Sequence, residues 1–162
     1  MLKTEDISPT AKAENVSITS RTAALISVAA AVVYFLSNPK PQSYYDYTFR
    51  VAGQLLAGRT GFSEPRPPWL NEFVPFEGFY YSVFPLGAVV SMIPAAILKN
   101  VGLIAESPGA VIASIHAAVI CYLLLKIASR YDVSRTRQIV LTMAIIFGTF
   151  MWTNLTFAGA WQ

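Results

Sequence analysis

One cysteine, one histidine and a 13% share of charged residues are what this 162-residue chain has least of. The lone Cys121 excludes a disulfide framework and a cysteine-based zinc site, and its place inside an apolar run reads as that of a small hydrophobe. Soluble domains carry about 25% charged residues, so half that share leaves too few polar side chains to cover a globule in water. The chain also lacks internal repeats, low-complexity segments and any basic stripe flanked by aromatic platforms, which sets nucleic acid aside as a partner. What remains is 54% hydrophobic, with a mean hydropathy of +0.48. That composition excludes disorder and points to lipid as the solvent.

The twelve basic and nine acidic residues cluster between four apolar blocks. Residues 1–21 mix Lys3, Lys12 and Arg21 with Glu5, Asp6 and Glu14, show no helical period and read as a cytoplasmic tail. Residues 22–36 carry no charge and form the first expected transmembrane helix, with Arg21 snorkelling to make up length. A signal peptide is the alternative, but Phe35 in the stretch Phe35-Leu36-Ser37 spoils the small-x-small cleavage pattern. Residues 108–125 and 138–160 are the second and third expected spans, with His116 and Asn154 as their strongly polar members. The connector between them, residues 126–137, holds Lys126, Arg130, Arg135 and Arg137 against one Asp132 and is therefore placed in the cytoplasm.

That placement decides how residues 81–98 are read. They carry no charge, and by hydropathy alone they would cross, giving four transmembrane helices. A crossing there would put the basic connector outside if the N-terminus is cytoplasmic, against the positive-inside rule. Pro85 and Pro94 also each remove a backbone donor from a helix. The expectation is an all-α integral membrane protein with three spans, in which 81–98 is a broken, interfacial or re-entrant helix within one large external loop, residues 37–107.

A second interfacial helix is expected at 44–57. At the helix period Tyr44, Tyr45, Thr48, Phe49, Val51, Ala52, Leu55 and Leu56 cover one broad face, while Asp46, Arg50 and Gln54 line the other at four-residue spacing. Gly58 supplies the stop. Between the two helices Pro65, Pro67, Pro68, Pro75, Gly61 and Gly78 forbid regular helix. Trp69, Phe73, Phe76, Phe79, Tyr80 and Tyr81 keep this acidic crossing, with Glu64, Glu72 and Glu77, close to lipid.

Two stretches resemble a known family: Tyr45-Asp46-Tyr47-Thr48-Phe49-Arg50-Val51-Ala52 with Leu55-Leu56-Ala57-Gly58, and Gly78-Phe79-Tyr80-Tyr81-Ser82-Val83-Phe84-Pro85-Leu86-Gly87. Together with the order of elements they are similar to the N-terminal module of the GT-C superfamily of polytopic membrane glycosyltransferases, such as the protein O-mannosyltransferases and the aminoarabinose transferases of lipid A. Leu86 stands where a second proline is common in that family. The resemblance implies transfer of a sugar from a polyprenyl-phosphate donor to a glycan, lipid or protein acceptor on the outer face, in a bacterial inner membrane with the N-terminus in the cytoplasm. It implies for Asp46 the role of acceptor-activating base or ligand of a divalent cation.

The spacing of Asp46 and Arg50 is equally that of a surface i, i+4 pair, which needs no function. Arg50, Arg59 and Arg66 have the fork that matches a donor phosphate, and lipid headgroups would hold them too. Glu72 and Glu77 offer a second carboxylate or cation site, with Tyr81 beside them as a substrate contact, against the plain reading of solvated acids. His116 and Asn154 suit hydrogen bonds between helices, or the path of a small transporter. A non-catalytic scaffold is the third class. Members of the family have further spans and a further acidic loop, so the resemblance makes this chain an N-terminal fragment whose isolated form lacks a complete donor pocket.

Overall fold

The computed structural model describes residues 17–38, 46–64 and 72–156, and the described part is mostly helical. The tail before Ser17, Tyr44, Tyr45, Pro65, Arg66, Pro67, Pro68, Trp69 and the end of the 138–160 block therefore lie outside the described residues. Helix α1 (Ser20–Ser37) is followed by α2 (Tyr47–Leu56), strands β1 (Gly61–Phe62), β2 (Phe73–Phe76) and β3 (Phe79–Ser82), then α3 (Leu86–Asn100), α4 (Gly109–Ala128), α5 (Arg135–Gly148) and α6 (Phe150–Thr156). Two hydrophobic clusters divide these elements: α1, α4, α5 and α6 share one, and α2, β2 and α3 share the other.

The first cluster is a seam of small side chains. Ala23, Ser27, Ala30 and Tyr34 of α1 are buried, as are Ala113, Ala117, Cys121 and Leu125 of α4 at strict four-residue spacing. Small residues let two backbones approach closely, and α1 packs chiefly on α4. The opposite face of α4 is a continuous outward ridge of Val111, Ile115, Val119, Leu123 and Ile127, all exposed. An exposed apolar ridge of that length marks a surface meant for a membrane or a protein partner. Helices α1 and α4 are each long and apolar enough to cross a membrane, and α5 with α6 makes a third such element if the bent pair is one span.

The direction of the helices follows from three polar ties. Lys126 Nζ donates to Ser20 Oγ and Arg135 Nη2 to Thr22 Oγ1, each at 3.4 Å, so the start of α1 adjoins the α4–α5 connector. Asn38 Nδ2 donates to the Leu155 carbonyl at 3.2 Å, which brings the far end of α1 to the far end of α6. Phe35 and Leu36 share a groove with Val111 and Ile115. The segment between α1 and α4 thus leaves and rejoins the bundle at the same end.

Several expected boundaries shift, each for a local reason. The span expected at 138–160 is two helices meeting at 54°, because Thr149 adopts an extended backbone that interrupts the ladder. The break is satisfied from within: Thr149 Oγ1 donates to the Ile145 carbonyl at 2.7 Å and accepts from Met151 N at 3.3 Å. Tyr34 reaches across from α1 and donates its hydroxyl to the Ile146 carbonyl. Hydroxyls substitute for the missing backbone donors, as a broken helix away from water requires. The connector expected at 126–137 contracts to residues 129–134, since α4 carries Lys126 to its end and α5 begins at Arg135.

The chain is mostly helical, as expected, but the segment between α1 and α4 also holds short strands. A three-stranded antiparallel sheet of order β1-β3-β2 forms there. Tyr81 and Ser82 pair with Val74 and Phe73, so the helix expected from residue 81 starts only at Leu86, after Pro85 in the cap position, and runs on to Asn100. The helix expected at 44–57 is described from Tyr47 to Leu56. Its apolar face, which the wheel directs into lipid, packs on α3 through Phe49, Val51 and Ala52 against Val89, Met92 and Ala96. Phe73 is the hub, with ring centroids 5.4 Å from Tyr47, 5.2 Å from Phe62 and 6.1 Å from Phe84.

Glu77 and Gly78 join β2 to β3 as a two-residue turn with φ of 48° and 82°, the positive pair a type I′ hairpin demands. Exchange of Gly78 for alanine is expected to cost about 1–2 kcal/mol in thermal unfolding, the left-handed penalty of a Cβ. Exchange of exposed Glu77 for glutamine should leave both stability and activity unchanged, since its part is conformational.

Candidate functional site

A polar groove of about 500 Å³ opens between α2, the loop after it and the C-terminal end of α3. Helix α2 supplies one wall. Asp46 stands immediately before its first turn, and Arg50, Gly53, Gln54 and Ala57 follow at helical spacing along the same face. The loop brings Arg59, Ser63 and Glu64, and α3 closes the far side with Lys99 and Asn100. The packing of α2 on α3 through the Phe49–Met92 core is what holds these walls together.

Asp46 does not cap α2; its Oδ1 instead accepts from Arg50 Nε at 2.8 Å. The acid is the more enclosed partner, with 13% of its side chain exposed against 45% for Arg50. The Arg50 guanidinium also lies 5.3 Å from the centre of the Tyr47 ring, and Lys99 Nζ lies 5.2 Å from that of Phe49. Each cation is thereby steered by an aromatic face. Burial pushes the Tyr47 phenol above its ordinary range, with Arg50 opposing the rise and Asp46 adding to it. Tyr47 therefore stays protonated beside the ion pair.

Of the residues named in the sequence, the groove gathers Asp46, Arg50, Gln54, Arg59 and Glu64. Glu72, Glu77 and Tyr81 do not line it. Glu72 opens the sheet and its carbonyl accepts from Val83 N at 3.0 Å. Glu77 sits in the hairpin turn. The Tyr81 ring covers Gly61, where a Cβ would come within 3.2 Å of it, and meets Phe76 edge-on at 6.3 Å. His116 Nδ1 lies 2.9 Å from the Ile112 carbonyl of its own helix rather than against a neighbour, and Asn154 is exposed.

Lys99 and Asn100 are the groove residues that sequence reasoning missed. They are the first strongly polar residues after the 81–98 block, a signal of its end, but nothing local indicates that this end faces Asp46. Among the described residues no group of three or more His, Cys, Asp or Glu side chains could hold a metal ion, and Asp46 is paired with a guanidinium rather than with a second acid. The groove offers groups for anion binding and for proton transfer: Arg50, Arg59 and Lys99 line it together with Asp46 and Glu64.

Comparison with known proteins finds no matching family model, no matching curated protein and no matching solved structure.

Proposed function

We propose that this chain works in a membrane glycosyltransferase, where it binds the polyprenyl-phosphate sugar donor and presents Asp46 to the acceptor on the outer face. The observation that carries this reading is the convergence of one enclosed carboxylate with three cations in a single groove. Its volume falls within the range of small-ligand sites. A second, largely apolar and open groove of about 340 Å³ is lined by Val32 and Phe35 of α1 and by Ile115 and Val119 at the exposed edge of α4, and suits a stretch of isoprenoid chain. A lipid-borne donor needs both surfaces.

The chemistry follows from the Asp46–Arg50 pair. An incoming donor phosphate competes for the half-exposed Arg50, and Arg59 and Lys99 add to the attraction. As Arg50 turns to the phosphate, Asp46 is released to accept the proton of an acceptor hydroxyl. The acceptor oxygen then bonds to the anomeric carbon while the bond from that carbon to the phosphate oxygen breaks, and polyprenyl phosphate leaves with the negative charge the three cations are placed to hold. Native mass spectrometry with a polyprenyl monophosphate as probe tests the binding half. The wild-type chain should retain it, and Arg50→Gln with Lys99→Gln should weaken retention by about a hundredfold, on the order of 1.5 kcal/mol for each charged hydrogen bond lost. Equal retention by both proteins would remove the phosphate from this groove.

The reading requires α1, α4 and α5–α6 as three spans, with α2, the sheet and α3 outside. At 15 residues, α3 is about 22 Å long, short of the roughly 30 Å of hydrocarbon. Single cysteines at Ser63, Asn100 and Ser134, in a Cys121→Ala background, report this through labelling of intact cells with a membrane-impermeant thiol reagent. Labelling at Ser63 and Asn100 but not at Ser134 is expected. Labelling at Ser63 and Ser134 without Asn100 would mean four crossings and would contradict the donor site.

A further inference from the structure

The opposite end of the bundle carries a cationic surface that the transfer chemistry does not use. Arg21 at the start of α1, Lys126 at the end of α4, and Arg130, Arg135 and Arg137 around the connector are brought together there, with Asp132 as the one acid in the connector. Among the described residues none of these five cations has a carboxylate within salt-bridge distance. Lys126 and Arg135 are instead drawn onto the hydroxyls of Ser20 and Thr22 in the first turn of α1. Lys126 suits the last turn of α4, but helix stability does not explain Arg135 and Arg137: they occupy the first turn of α5, which holds no acid, and the positive end of a helix repels cations. Tyr131, exposed at 67%, stands among them, an amphipathic ring of the kind that settles at headgroup level.

We propose that this surface, between the first turn of α1 and the α4–α5 connector, binds the phosphate headgroups of anionic phospholipids in the adjoining leaflet. The proposal rests on the membrane placement of α1 and α4 and not on the transferase reading. Charge complementarity selects the partner. Lysine and arginine beside spans gain about 1 kcal/mol each from an anionic surface, close to fivefold in affinity per cation. Hydroxyls that accept from Lys126 and Arg135 hold those side chains pointed along the bundle rim without neutralising them.

The test is to reconstitute the whole chain in nanodiscs of phosphatidylcholine alone and of phosphatidylcholine with about 30 mol% phosphatidylglycerol. Thermal midpoint and retained phosphatidylglycerol, read by native mass spectrometry, are compared. The anionic lipid should raise the midpoint by about 3 °C and remain bound in preference to phosphatidylcholine. The Lys126→Gln/Arg135→Gln double variant should lose about 25-fold in that preference. In the wild-type chain, about 0.5 M salt should abolish the gain, a result independent of how well the variant folds. Identical midpoints in the two lipids, or a gain that survives both the salt and the double substitution, would overturn the proposal. Failure of the chain to enter discs of either composition would instead overturn the membrane placement on which it stands.

Discussion

Asp46→Asn is expected to lower sugar transfer by about 10²- to 10⁴-fold in membranes that contain the complete transferase, the range typical of a lost general base. Donor binding should change little, because Arg50, freed from its partner, still faces the phosphate. Stability should also change little: an i, i+4 pair whose arginine is half-exposed contributes only about 0.3–0.5 kcal/mol, and the core beneath it, built on Phe49 and Met92, is untouched. The combination of near-total loss of turnover, unchanged polyprenyl-phosphate retention and unchanged thermal midpoint separates catalysis from support. If Asp46→Asn and Arg50→Gln instead cause the same small loss, the pair is a surface salt bridge and the base lies elsewhere.

The second large effect concerns the bend between α5 and α6. Tyr34→Phe keeps the ring contacts with Trp152 at 4.8 Å and Phe147 at 5.6 Å and removes only the hydroxyl that serves the Ile146 carbonyl. The phenylalanine variant should be destabilised by about 1–3 kcal/mol, the cost of stranding a buried acceptor. Tyr34→Ala should cost about 3–5 kcal/mol, since a ring that is 1% exposed leaves a cavity as well. Reversible unfolding in mixed micelles measures both. A Tyr34→Phe variant within about 0.5 kcal/mol of wild type would mean that the bend supplies the Ile146 carbonyl with another donor.

These two sites show what was legible in the chain itself. Uncharged runs revealed α1, α4 and the α5–α6 stretch, because long apolar helices leave their mark in composition alone. The Asp46–Arg50 spacing was also readable, since both residues lie on one helix. Residues 81–82 were misassigned to a helix because their strand identity depends on Phe73 and Val74, a pairing that hydropathy does not encode. The break at Thr149 was hidden in an uncharged run; Gly148 was the one local hint, and the donor that serves the Ile146 carbonyl beside it comes from Tyr34, 112 positions before Ile146. Lys99 failed to register as a site residue for the same reason: its relation to Asp46 is created by packing between α2 and α3.

The α1–α4 seam has a consequence for how the chain is made. Its two faces are separated by residues 38–108, so α1 leaves the ribosome long before the helix it packs against. At about 5–20 residues per second that interval is roughly 4–15 s. On the proposed topology α1 must rest in the bilayer as a solitary helix during this time, with Ser27 and the Tyr34 hydroxyl still without their later neighbours. Ser27 meets that demand alone by donating to the Ala23 carbonyl at 2.8 Å within its own helix. Tyr34 lies near the outer end, where a phenol can reach water until the Ile146 carbonyl arrives. Assembly would then be paced by translation, with the bend in the third span the last joint to close.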